Sequence, residues 1–148
     1  MTFQEDYDPK NFDDMIAFRR KAVKPPDPEK IGSFLLLDNC FYEKNQINDK
    51  CMRECFGNGR CHRLLFIITM AYSIEMNGFS RGNTDYIFIL RESIISNRKR
   101  LYDHWASGLF KTFEIFCDVL DTVTSDYECL VIDNREGKYY KYKATISN

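Results

Sequence analysis

The sequence predicts an α+β fold, a mostly helical single domain with about five helices around a central buried helix over 60–76 and a C-terminal β-hairpin. Three observations carry this expectation. Apolar residues recur at helical spacing over much of the first 120 positions. From Tyr127 the pattern changes to alternation around a loop of turn-forming residues. Twelve Phe, nine Tyr and one Trp supply large rings enough for a sizeable core.

The elements follow in order. Asp8-Pro9 has the form of an N-cap followed by Pro at the first helical position, and Phe12, Met15, Ile16 and Val23 mark an apolar stripe. A helix over 9–23 is therefore expected, ended by Pro25-Pro26. Residues 28–42 are ambiguous. Ile31, Phe34, Leu35 and Leu36 could line a helix, while Ser33 to Phe41 could equally be a buried strand. Ile47 to Phe56 reads as a helix stopped by Gly57-Asn58-Gly59. The stretch from Arg60 to Met76 is apolar on nearly every side in its middle and reads as the central helix, closed by Asn77-Gly78.

Tyr86 to Leu90 fits a short strand or the first turns of a helix. Ile94, Ile95, Leu101, Tyr102 and Trp105 then keep helical spacing, with Arg98, Lys99 and Arg100 expected to face outward. Leu109, Phe110, Phe113, Phe116, Cys117 and Leu120 give the cleanest amphipathic helix. Tyr127 to Ile132 and Lys138 to Ile146 are expected to pair as a hairpin through the loop Asp133 to Gly137.

Residues 1–148 are read as one domain, with 1–8 expected to be flexible. The net charge of −1 gives no global pull toward nucleic acid or anionic membrane. The first residues are acidic, unlike a signal peptide, and the apolar run Leu64 to Ala71 is far shorter than the ~20 residues of a membrane span. A cytoplasmic or nuclear protein is expected rather than a secreted one, with its six cysteines reduced.

Cys51, Cys55, Cys61 and His62 form the strongest chemical cluster. Cys51 and Cys55 share a helix face, and the Gly57-Asn58-Gly59 turn could return Cys61 and His62 toward them as ligands of one structural zinc. The spacing is not that of a zinc finger, and buried free thiols explain the same residues without any cofactor. Cys61 beside His62 is not a catalytic dyad, because neighbours on a helix diverge. Gly57-Asn58-Gly59-Arg60 lacks the Gly-Lys-Ser/Thr of a phosphate-cradling loop. The carboxylates Asp13-Asp14 fit a solvated first helical turn. Enzyme motifs are otherwise absent from the sequence, and a non-catalytic role is expected.

That role is read as protein–protein interaction, with Trp105, Arg98, Arg100, Tyr139, Tyr140, Phe41 and Tyr42 as candidate contact residues. Abundant Ile, Asn, Lys, Tyr and Phe with scarce Ala and Gly suit an AT-rich coding sequence. A virus-encoded antagonist or regulator of a host factor fits that composition. Two alternatives stand beside it: a zinc-stabilised regulatory domain, and a single-strand nucleic-acid binder using Lys138, Lys141 and Lys143 among Tyr139, Tyr140 and Tyr142.

Two short resemblances bear on function. Phe88-Ile89-Leu90-Arg91-Glu92-Ser93 resembles the strand with which SH2 domains bind phosphotyrosine. Gly59-Arg60 opening an apolar stretch is similar in layout to the helical Bcl-2 family. The Gly that precedes the first motif and the Trp that precedes the second are missing, and neither resemblance is adopted.

Overall fold

The computed structural model describes residues 8, 10, 13–14, 16–17, 32–39, 46–71 and 76–145. They form an α+β structure of four helices and five strands in two sheets. The chain divides into two compact units, residues 1–83 and 84–148. Of the expected N-terminal helix, Lys10, Asp13, Asp14, Ile16 and Ala17 have helical backbone. Asp8 caps it by accepting the Lys10 N–H at 2.9 Å. Residues 1–7, most of the segment expected to be flexible, lie outside the described residues.

The first unit is built on a strand–helix–strand crossover. Strand β1 (Ser33–Asp38) leads through a short 3₁₀ turn (Gln46–Asn48) into helix α1 (Lys50–Asn58), and β2 (Leu64–Thr69) returns parallel to β1. The register runs from Ser33 opposite Leu64 to Asp38 opposite Thr69. Asp49 caps α1, its side chain accepting the Met52 N–H at 2.9 Å. Cys51, Met52 and Cys55 are buried along one side of α1. Phe56 meets the Phe66 ring edge-on at 5.1 Å, fixing α1 to β2. A short helix α2 (Gly78–Gly82) follows, capped by Asn77.

The central helix expected over 60–76 is not formed: its apolar middle is β2. A run apolar on all sides fits a buried parallel strand as well as a buried helix, because both faces of such strands are covered in α/β folds. The chain reverses too sharply for a helix to begin at Arg60. Leu64 donates to the Gly59 carbonyl at 2.9 Å, and Arg63 adopts a left-handed φ of 51°. Gly59 itself sits so close to the end of α1 that a Cβ there would lie 2.5 Å from the Cys55 carbonyl oxygen. Pairing with β1 then satisfies the backbone along one edge of residues 64–69. The ambiguous segment before residue 42 resolves as strand over Ser33–Asp38.

The second unit is an antiparallel sheet in the order β3-β4-β5, formed by Tyr86–Ile89, Glu128–Asp133 and Lys138–Lys143. Helices α3 (Ile95–Leu101) and α4 (Phe113–Val123) lie between β3 and β4 in the chain. Helix α3 runs into one π-helical turn, Tyr102–Ala106, closed by Ser107 N–H to the Tyr102 carbonyl at 2.8 Å. Ile89, Ala106, Phe110, Phe116, Leu120, Leu130 and Ile132 make the core. Phe116, fully enclosed, touches the rings of Phe110 at 5.6 Å and Tyr102 at 5.8 Å. In the β4–β5 hairpin the Asp133 carboxylate accepts the N–H groups of Arg135 and Glu136, each at 3.0 Å. Gly137 supplies the left-handed φ of 63° that returns the chain.

The outward face expected of residues 98–100 holds for Lys99 and Arg100 but not for Arg98, which is buried. Its guanidinium has partners on α4 and in the preceding loop, so burial leaves its charge satisfied. Among the described residues, no helix is long and apolar enough to cross a membrane.

Candidate functional site

In open α/β sheets ligands bind outside the carboxyl ends of the strands. At that end of the first unit, Asp38 closes β1 and Thr69 closes β2, directly opposite each other. Both are exposed. The Thr69 hydroxyl donates to the Asp38 carboxylate oxygen Oδ1. The Asn39 N–H donates to the Thr69 carbonyl and to Thr69 Oγ1, both at 3.1 Å.

Asn39 makes this possible by taking a left-handed φ of 48°, a conformation Asn tolerates better than most residues. Its side-chain oxygen accepts the Ala71 N–H at 3.3 Å. Asn39 and Ala71, just past the ends of β1 and β2, are thereby joined. Nearby in sequence, the Asn48 side chain accepts the Asn77 N–H at 3.0 Å and ties the start of α1 to the chain after β2.

The oxygen groups gathered here are a carboxylate, a hydroxyl and an amide. The hydroxyl is engaged with Asp38 and Asn39 and the amide oxygen with Ala71, so the carboxylate is the group offered to a cation. Such a group suits Mg²⁺, which is held by one or two carboxylates together with waters and phosphate oxygens.

The same face of β1 and β2 is apolar and open. Phe34, Leu36, Leu65 and Ile67 are 58%, 50%, 61% and 41% exposed. The paired register places Phe34 beside Leu65 and Leu36 beside Ile67, in a stripe that ends at Asp38 and Thr69.

The cysteine cluster is dispersed. Cys51 and Cys55 are buried under α1, Cys61 is exposed, and His62 Nε2 lies 3.5 Å from Glu54 Oε1. Burial pushes the Cys51 thiol up to about 11, helped by its hydrogen bond to Asp13, and the Cys55 thiol up to about 12. Among the described residues, no three His, Cys, Asp or Glu side chains come together as a metal site. The five described cysteines are free.

The candidate contact residues are equally spread. Trp105 is partly buried against the core of the second unit, and Tyr139 stacks on Phe110 at 4.6 Å. Arg100 and Tyr140 are exposed, whereas Phe41 and Tyr42 lie outside the described residues. The lysines of β5 face acids: Lys141 lies 2.7 Å and Lys143 3.9 Å from Glu128, and Lys138 lies 2.9 Å from Glu136.

No protein-family model matches the chain. It is 33% identical over 153 residues to uncharacterized protein 088R of Invertebrate iridescent virus 3, covering 97% of this chain and 56% of that protein. It is 34% identical over 127 residues to uncharacterized protein 075L of Invertebrate iridescent virus 6, covering 84% and 49%. A third relative, uncharacterized protein L437 of Acanthamoeba polyphaga mimivirus, is 36% identical over 127 residues, with coverage of 82% and 43%. The chain thus spans about half the length of these curated relatives, all of them viral, in keeping with the origin expected from composition.

Among solved structures, the chain is similar to B204, the DNA-packaging ATPase from Sulfolobus Turreted Icosahedral Virus, with a TM-score of 0.73. That match has 14% identity and covers 98% of this chain and 66% of the other. The genome packaging NTPase B204 from Sulfolobus turreted icosahedral virus 2 in complex with ATP-gammaS aligns with a TM-score of 0.64 and 15% identity, covering 95% and 66%. At such identity the likeness is one of fold.

Sequence reasoning missed Asp38, Asn39 and Thr69. Asp38 and Asn39 lie some 30 positions from Thr69, so no local spacing joins them. The available signal was the pair of strand-compatible apolar runs, Phe34 to Leu37 and Leu64 to Ile68, each ending in an oxygen-bearing side chain.

Proposed function

We propose that this chain is the metal-holding part of a nucleotide-hydrolysing viral protein of the genome-packaging kind. The observation that carries the reading is the Asp38 carboxylate at the carboxyl end of a parallel strand, hydrogen-bonded by Thr69 from the next strand. In P-loop nucleotide hydrolases a carboxylate in such a place holds Mg²⁺, which neutralises charge on the β- and γ-phosphates. The fold likeness to packaging NTPases solved with nucleotide analogues supports it. Residues 1–148 contain no Gly-x-x-x-x-Gly-Lys-Ser/Thr run, so the reading assigns this chain the carboxylate side of the site and not the phosphate cradle.

In this reading Asp38 presents the metal-binding oxygen, Thr69 and Asn39 hold the two strand ends in register, and the stripe above them excludes water once covered. The test is binding of Mn²⁺, as a probe for Mg²⁺, by the chain and by Asp38→Asn. Loss of at least about ten-fold in affinity is expected, the scale of removing an interaction with a charged group. Equal affinity in the variant, or no Mn²⁺ binding by the wild type, counts against it.

A second reading, protein–protein interaction, is favoured by the open stripe Phe34, Leu36, Leu65 and Ile67. It is compatible with the first. Substituting Leu36 and Leu65 together by Lys should abolish binding of a hydrophobic dye without lowering the melting temperature. Destabilisation by that pair would show the stripe to be covered from within the chain.

A further inference from the structure

We propose that Thr69 is a positioning residue for Asp38, working as a relay that fixes the direction of the metal-binding oxygen. The inference rests on the reading of Asp38 as the metal-holding carboxylate. Thr69 Oγ1 has one hydrogen to give and gives it to Asp38 Oδ1. One of its two lone pairs accepts in turn the Asn39 N–H at 3.1 Å. A hydroxyl held as acceptor from one side cannot swing freely, so its hydrogen stays on the carboxylate. Only one carboxylate oxygen is taken by this bond, which leaves Oδ2 to bind a cation.

An exposed Asp at a strand end would otherwise sample several rotamers and lose freedom on binding a metal. The relay removes that loss beforehand. Asn39 matters to it through backbone geometry, since the left-handed φ of 48° turns its N–H back toward Thr69. Thr69 supplies no charge and touches no substrate in this scheme.

The test uses the complete chain and Mn²⁺ as the probe. Binding of Mn²⁺ in the presence of a non-hydrolysable ATP analogue is followed by the loss of its free electron paramagnetic resonance signal. Thr69→Val keeps the shape of a β-branched strand residue but removes the hydroxyl. It should weaken Mn²⁺ binding about ten-fold, the scale of a hydrogen bond to a charged group. Thr69→Ser, which restores the hydroxyl, should return affinity to within about two-fold of wild type. Melting temperatures of both variants should stay near wild type.

Equal affinity in Thr69→Val and wild type, with binding abolished in Asp38→Asn, would overturn the relay while leaving the Asp38 reading intact. Binding unaffected by Asp38→Asn would remove both. Parallel loss of affinity and melting temperature in Thr69→Val and Thr69→Ser would mark a merely structural role and also overturn the relay.

Discussion

Arg98 on α3 and Asp121 on α4 meet fork to fork, with guanidinium Nη1 and Nη2 at 2.8 and 2.5 Å from the two carboxylate oxygens. The third guanidinium donor, Nε, bonds the Glu92 carbonyl at 2.6 Å. One side chain therefore joins two helices and the loop that starts the first of them. Asp121 is half-exposed, which screens the pair and keeps its worth modest. Arg98→Met, which retains the stem, should lower stability by about 1–2 kcal/mol, chiefly through the lost hydrogen bonds. Chemical denaturation of the two proteins at pH 7 measures it.

The same contact makes stability depend on acid. The hydrogen bond from Arg98 holds the Asp121 carboxyl below its usual range, and backbone N–H bonding at Ile94 does the same for Glu92. A carboxylate depressed in the folded state stabilises fully above its unfolded pKa and loses that contribution as pH falls through the folded value. The wild type should therefore lose stability as pH drops below about 4. Asp121→Asn should lose less over the same interval. Melting curves from pH 7 to pH 2 would show the two profiles converging; parallel profiles would dismiss the pair as the cause.

Thiol reactivity should sort the cysteines. Cys61 is exposed, whereas Cys51 and Cys55 are buried with their pKa values raised to about 11 and 12. Iodoacetamide at pH 8 should modify Cys61 first and reach Cys51 and Cys55 only when the unit opens. An acid group with a raised folded pKa stabilises below its unfolded value and loses that contribution as pH rises toward the folded one. Cys55→Ala should thus show a smaller alkaline loss of stability than wild type between about pH 9 and 11. Mass spectrometry of the alkylated peptides and alkaline melting curves provide the readouts.

The parts legible in sequence were those with an unambiguous period. Phe113, Phe116 and Leu120 announce α4, and the loop from Asp133 to Gly137 announces the hairpin. The reading failed where a residue's neighbours come from elsewhere in the chain. Leu64 to Ile68 could not be told from a buried helix until β1 was paired with it. Arg98 looked like one of three solvated bases, and only Asp121, 23 positions away, draws it inward. Asp38 carried no signal by itself, because its meaning comes from Thr69 across the sheet.

The turn between α4 and β4 carries a cost that substitution should remove. Tyr127 is fully exposed yet holds a left-handed φ of 61°, next to Asp126 at 54°. For a bulky residue that conformation costs about 1–2 kcal/mol, because Cβ crowds the following carbonyl oxygen. Being fully exposed, the ring has little packing to offset the cost. Gly removes the clash but adds freedom to the unfolded chain worth about 0.5–1 kcal/mol. The balance favours the variant, and Tyr127→Gly should raise stability by about 0.5 kcal/mol. Tyr140→Gly is the control, since β5 is extended and Gly there relieves no strain while losing entropy and the packing of a half-exposed ring opposite Val131. Thermal denaturation should move the two midpoints in opposite directions; a fall in both would mean that the Tyr127 ring holds the turn through packing.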